Sequence, residues 1–170
     1  MTLQEYKTNV LPLRDRIFRF AFRMLSNRTE AEDVTQEILI KLWDKRADLA
    51  GINNLEAWAV RLTKNLSIDK MRNKHRRTEE IKPGFDRASD AVSPQRSAEF
   101  NDAIERVRQI MASLPEKQRS VMHLRDIEGL SYQEIAEALE MNLSQVKVYL
   151  HRARIKVRAG LLKADRHGME

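Results

Sequence analysis

The chain contains no cysteine, and among its 170 residues there are only five glycines, four prolines and 6% aromatic side chains. Without cysteine there is no disulfide framework, no thiolate zinc site and no cysteine nucleophile. Glycine and proline this sparse do not supply the turns that an all-β chain needs every few residues. No uninterrupted apolar run approaches the roughly 18 residues of a membrane span. The opening MTLQEYKTNVLPLRDR holds no apolar stretch of signal-peptide length. The expectation is an all-α protein of the cytoplasm with no membrane insertion. What remains is rich in Leu, Ala, Glu, Lys and Arg, the strong helix formers. One third of the residues are charged, and the net charge is +6.

That total is a weak pointer to a polyanionic partner; its distribution says more. Residues 64–78 carry six basic side chains (Lys64, Lys70, Arg72, Lys74, Arg76, Arg77) against one acid, Asp69. Residues 147–166 carry seven basic side chains against one acid. Residues 30–37 hold four acids and residues 126–140 hold five, with no basic residue in either run. A single charge run is often just a solvated helix face. Two basic runs, each ending a helical segment, point instead to two separate nucleic-acid contacts.

The chain reads as two small helical domains, residues 5–78 and 99–165, joined by a flexible linker at 79–98. The linker stretch, EEIKPGFDRASDAVSPQRSA, breaks periodicity with two prolines and a glycine. As a flexible chain it would span on the order of 25 Å. In the first domain, Thr29 with Glu32 three residues on forms a capping-box pattern. The helix beyond it places Ala31, Val34, Ile38 and Leu42 on one face. Asp33, Gln36 and Glu37 share a different, polar face. These acceptors suit a basic partner or, less well, a cation, since no further His or acid has ligand spacing to them. A second helix starts near Asn54 with the apolar stripe Leu55, Trp58, Ala59, Leu62 and Leu66, and its polar side continues into DKMRNKHRR. The spacing makes Trp43 and Trp58 core residues, with base stacking as the alternative.

In the second domain, Pro115 opens a helix whose core face includes Val121, Met122 and Leu124, and Gly129 ends it. Ser131 with Glu134 caps the next helix, which turns Ile135, Ala136 and Leu139 inward. Asn142 with Gln145 caps a last helix lined by Val146, Leu150, Ala153 and Val157. Two helices, a tight turn and a basic second helix make a helix-turn-helix, whose second helix enters the major groove. Ser144, Gln145, Lys147, Val148 and His151 are the candidate base contacts: Gln suits adenine, Lys guanine and Val a thymine methyl. Arg152 and Arg154 suit phosphates.

Taken together these segments resemble the bacterial sigma factors of the small, two-domain extracytoplasmic-function (ECF) type. RTEAEDVTQEILIKLW looks like the family's core-polymerase-binding helix, with Glu32, Asp33, Gln36 and Glu37 as its contacts. LEAWAVRLTKNLSIDKMRNKHRR is similar to the segment that recognises and melts the −10 promoter element, with Arg61, Asn65, Asp69 and Arg72 at the pattern's positions. Lys64, Lys70, Lys74, Arg76 and Arg77 would add attraction to the DNA backbone. LPEKQRSVMHLRDIEGLSYQEIAEALEMNLSQVKVYLHRAR looks like the domain that reads the −35 element. The resemblance implies core RNA polymerase, promoter DNA and an anti-sigma factor as partners, and neither cofactor nor metal. Glu140 stands where the family's turn usually has glycine, Ser144-Gln145 replaces a frequent Gly-Thr, and Tyr149 stands where Arg is common.

Two other classes compete. A stand-alone dimeric helix-turn-helix regulator explains residues 114–158 but not the acidic 29–43 segment or the first basic helix. An enzyme finds little support: there is no Gly-rich phosphate loop, and His75, His123, His151 and His167 form no i, i+4 ligand pair.

Overall fold

The computed structural model describes residues 1–80 and 98–167, with side chains described for 1–77 and 102–163. Almost all of the expected linker lies outside the described residues. Every element among the described residues is helical, and the chain divides into two compact units.

The first unit holds α1 (Leu3–Asn9), α2 (Arg14–Leu25), α3 (Arg28–Asp44) and α4 (Leu55–Glu80), with short 3-10 turns at Leu11–Leu13 and Asp48–Gly51. Helices α2, α3 and α4 pack on one another. The packing follows the apolar periodicity. Ile17, Ala21, Ala31, Val34, Ile38, Leu42 and Ala59 are buried in one core, and Trp43, Trp58, Leu55, Leu62 and Leu66 pack against it half-buried. Both tryptophans therefore serve the core. Tyr6 ties α1 to α3: its hydroxyl donates to the Leu39 carbonyl at 2.7 Å, and its ring meets Trp43 edge-on at 5.1 Å. The buried hydroxyls of Thr35 and Thr63 donate to carbonyls one turn back, those of Ala31 and Ala59, so neither is stranded in the core.

One local expectation is corrected. Helix α3 is capped by Asn27 rather than Thr29, the Asn27 side chain accepting from the Glu30 amide at 2.9 Å. Asn27 has extended backbone, as a cap requires, whereas Thr29 is already inside the helix. Glu32 instead pairs with Arg28 one turn back, at 3.0 Å.

The C-terminal part of the chain holds α5 (Ala98–Ala112), α6 (Glu116–Met122), a π turn (His123–Ile127), α7 (Tyr132–Leu139) and α8 (Leu143–His167). Helix α8 packs against both α5 and α6. Val121, Leu124, Leu130, Ile135, Leu139, Val146, Leu150, Ala153 and Val157 are buried. At Gly160 a Cβ would lie 2.9 Å from the Ile110 side chain, so the bare glycine lets α5 close on α8.

The sequence places the end of the α6 helix at Gly129, and Gly129 does adopt φ +74°. The π turn before it was not foreseen. There the Glu128 amide reaches the His123 carbonyl at 3.0 Å, and the Leu130 amide reaches the Leu124 carbonyl at 2.9 Å. The wider loop is accompanied by a buried side-chain pair, His123 Nε2 to Glu128 Oε1 at 3.3 Å.

Candidate protein and nucleic-acid interfaces

Three surfaces carry the candidate residues. The first is the outer face of α3. Glu32, Asp33 and Gln36 are exposed and Glu37 is half-exposed, while the opposite face of the helix fills the core. Glu37 also pairs with Lys41 at 2.9 Å. The residue one turn beyond Gln36 and Glu37 is Ile40, 61% exposed. Sequence reasoning missed it, although the spacing 33, 36, 37, 40 puts it on the same helical face. An exposed apolar side chain at the end of an acidic helix face has the make-up of a protein-binding patch: one anchor for desolvation, charges beside it for orientation.

The second surface is the polar side of α4. Asn54 starts this helix by accepting from the Ala57 amide at 2.9 Å. Arg61, Asn65, Asp69, Arg72 and Arg76 follow one another at helical spacing and line one stripe. Asn65, Asp69, Arg72, Lys74, Arg76 and Arg77 are exposed, whereas Arg61 and Lys70 are partly covered. Lys64 belongs to the same helix. Lys74 reaches Glu30 of α3 at 3.6 Å. The charge thickens toward the C-terminal end of the helix, where cations also meet the negative pole of the helix dipole.

The third surface is α8 with the turn before it. Ser131 and Glu134 cap α7 reciprocally: the Ser131 hydroxyl accepts from the Glu134 amide and the Glu134 carboxylate from the Ser131 amide. The turn then closes with the Met141 amide on the Ala136 carbonyl at 3.0 Å. This is the Schellman arrangement, and its left-handed position is Glu140, at φ +55°. Asn142 and Gln145 cap α8 in the same reciprocal way, at 2.8 and 3.1 Å.

On α8, Ser144, Val148 and His151 form the exposed crest, continued by Ile155. Lys147 and Arg154 lie on one flank of that crest, and Gln145 and Arg152 on the other. A crest of uncharged or imidazole side chains between flanks that each carry a cation, Lys147 and Arg154 on one side and Arg152 on the other, has the pattern that suits a groove between two phosphate rows. Gln145 is already in use: its carbonyl oxygen accepts from the Asn142 amide, which ties the side chain back over the helix start, while its NH₂ group is not used by the cap. Arg154 is also engaged. Its guanidinium forms a two-pronged pair with Asp126 of the π turn, Nε to Oδ2 at 3.1 Å and Nη2 to Oδ1 at 2.5 Å. That pairing, with Tyr132 beside it, raises Arg154 above its ordinary value. Arg125, next in the chain to Asp126, donates to the Leu130 carbonyl at 2.8 Å and lies over the Tyr132 ring at 4.8 Å.

Among the described residues no group of three or more His, Asp or Glu is placed to hold a metal ion. No helix there is long and apolar enough to cross a membrane.

An acidic-faced and basic-faced helical unit followed by a helix-turn-helix unit is the arrangement of a two-region transcription factor. Family models match both units: Sigma-70 region 2 over residues 10–77 and Sigma-70, region 4 over residues 104–157. The chain is 32% identical to the ECF RNA polymerase sigma factor SigW of Bacillus subtilis over 158 residues, covering 87% of this chain and 84% of that protein. It is 30% identical to the RNA polymerase sigma-H factor of Pseudomonas aeruginosa, covering 85% of this chain and 80% of that protein. Against the ECF sigma factor SigE of Mycolicibacterium smegmatis the identity is 34%, and the match spans 58% of that relative's length. The fold is also that of RpoE from Bartonella quintana, solved with the anti-sigma factor NepR, at a TM-score of 0.78 and 24% identity over 94% of this chain and 98% of that one. It is shared by CnrH, solved with the cytosolic domain of CnrY, at a TM-score of 0.69 and 24% identity over 96% of this chain and 91% of that one. The chain belongs to the ECF family of RNA polymerase sigma factors.

Proposed function

We propose that this sigma factor divides its work among the three surfaces. The α3 face, centred on Asp33, Gln36, Glu37 and Ile40 with Glu32 at its edge, docks on core RNA polymerase. The α4 stripe from Arg61 to Arg77 engages the −10 element and holds it open. Extruding a base from the duplex costs a few kcal/mol, and the cluster of Lys70, Arg72, Lys74, Arg76 and Arg77 offsets that cost by attracting the single strand. Helix α8 reads the −35 element through Ser144, Gln145, Lys147, Val148 and His151, with Arg152 and Arg154 on phosphates. Residues 5–78 and 99–165 are then the two working domains, and the stretch between them lets the polymerase set the spacing of the two contacts.

The observation that carries this reading is the coexistence, on one short helical unit, of an acidic face built around an exposed isoleucine and a basic helix, followed in the chain by a doubly capped helix-turn-helix. A stand-alone helix-turn-helix regulator uses α6 to α8 and leaves α3 and α4 without a task. An anti-sigma partner follows from the need to cover these faces when the factor is idle, and a cytoplasmic location from the site of transcription. The decisive test is in vitro transcription with core RNA polymerase on genomic DNA. Discrete transcripts that require this chain are expected. Their absence, together with a footprint by the chain alone at a palindromic site, would overturn the reading in favour of a dimeric regulator.

A further inference from the structure

The paired guanidinium of Arg154 is the feature that the sequence reading does not anticipate. A phosphate contact on a DNA-facing helix was expected; the structure shows it already held by a carboxylate 28 residues earlier in the chain. We propose that Asp126 is a positioning residue for promoter binding, orienting Arg154 so that the rest of its guanidinium meets a DNA phosphate. This rests on the reading of α8 as the helix that enters upstream duplex DNA.

The chemistry supports an orienting role rather than a simple ion pair. Arg presents five N–H donors in a rigid plane. Asp126 takes the side-on pair, Nε and one hydrogen of Nη2. The end-on fork of Nη1 and Nη2 is the geometry in which a phosphate is bound by two parallel bonds. The Arg154 side chain is 50% exposed and that of Asp126 30%, so the pair sits at the surface, with Tyr132 beside it and half of the Arg154 side chain open to solvent. A lone Arg on a helix surface samples many rotamers, and fixing them beforehand removes part of the ordering cost of binding.

Asp126 is itself held. It lies in the π turn, whose widened backbone loop is accompanied by the buried His123–Glu128 pair. Its neighbour Arg125 is anchored to the Leu130 carbonyl and the Tyr132 ring. The unusual turn therefore has a consequence: it gives the carboxylate a fixed base beside the middle of α8. Lys147, two helical turns before Arg154 on the same flank, has no carboxylate partner among the described residues, and serves as the unoriented reference.

The sign of one substitution separates orientation from plain electrostatics. Removing a negative charge from a DNA-facing surface ordinarily tightens DNA binding. If Asp126 orients Arg154, Asp126→Ala weakens it instead. The experiment is fluorescence anisotropy of the full chain with a labelled 30-base-pair duplex of mixed sequence, across a salt series, with thermal unfolding of each variant run alongside. Arg154→Ala is expected to lower affinity five- to tenfold and to reduce the salt slope by about 1. Asp126→Ala should match that loss of affinity, the double variant should be no weaker than either single one, and Asp126→Glu should recover most of the binding. Tighter binding by Asp126→Ala, or additive losses in the double variant, would overturn the proposal. Should Asp126→Ala fail to fold, Asp126→Asn, which removes the charge and one of the two acceptors, is expected to bind between wild type and Arg154→Ala, and tighter binding than wild type would overturn the proposal. Lys147→Ala is the internal control: if it weakens binding while Arg154→Ala does not, the positioning role fails alone. If neither matters, the reading of α8 as the DNA-facing helix fails with it.

Discussion

Asn142 and Gln145 hold each other's backbone amides, at 2.8 and 3.1 Å, across the first turn of α8. A residue proposed above to read a base is thus also half of a helix cap. A two-bond contact to adenine needs both the oxygen and the nitrogen of a glutamine amide, and here one lone pair of the oxygen, and with it the side-chain direction, is taken by the cap. Gln145→Glu keeps a cap acceptor but loses the NH₂ donor, whereas Gln145→Ala loses both. Thermal unfolding should show the Glu variant near wild type and the Ala variant destabilised by about 0.5–1 kcal/mol. Selection from randomised upstream sequences should show both variants with altered preference.

Glu140 takes the left-handed position of the turn between α7 and α8, at φ +55°. A side chain there costs roughly 1 kcal/mol relative to glycine, because its Cβ crowds the following carbonyl. Glu140→Gly should raise stability by about that amount, and Glu140→Val, β-branched, should lower it by more than 1 kcal/mol. Urea unfolding of the three chains checks both directions.

On α3, the carboxylates and Ile40 face outward while Val34, Ile38 and Leu42 fill the core. Asp33→Lys and Glu37→Lys should each weaken association with core RNA polymerase at least tenfold, and Ile40→Ala should do the same without any change of charge. All three variants should unfold within about 0.5 kcal/mol of wild type, as exposed substitutions do. Competition for a limiting amount of core polymerase against a labelled wild-type chain measures the effect.

Tyr6 links the N-terminal helix to α3 through the Leu39 carbonyl, and burial raises its phenol above the ordinary value of 10.0. The neutral phenol is therefore favoured by the fold. Its contribution is fully present below the unfolded value and is lost as pH rises through the folded one. Tyr6→Phe should cost about 1 kcal/mol at neutral pH, the worth of one hydrogen bond. Above pH 10 the gap between wild type and variant should close, because ionised Tyr6 no longer fits its site. Urea midpoints measured from pH 7 to pH 11 follow both trends.

Much of this was readable from the chain alone. The core faces of α3 and α8, the caps at Ser131 and Asn142 and the glycine stop at 129 all follow from rules that act within one or two turns. The cap of α3 shows where such rules falter. Thr29 with Glu32 matches the capping-box pattern, yet the chain leaves the left-handed residue Ser26 (φ 51°) into extended Asn27, and the helix starts there, two residues before the pattern. The exposure of Ile40 was implicit in its spacing from Asp33 and Glu37, yet an isoleucine in a helix reads as core until the neighbouring helices are in place.

The sequence by itself determined an all-helical chain, its two charge-segregated surfaces and a helix-turn-helix, because helix periodicity, capping and charge runs are local properties. Only the tertiary structure decided that Arg154 is gripped by Asp126, that His123 is buried against Glu128, and that Ile110 closes on Gly160. The first and third of these depend on how α8 crosses the π turn and α5. The second depends on an extra residue taken up within one helical turn, and no periodicity along the chain encodes either.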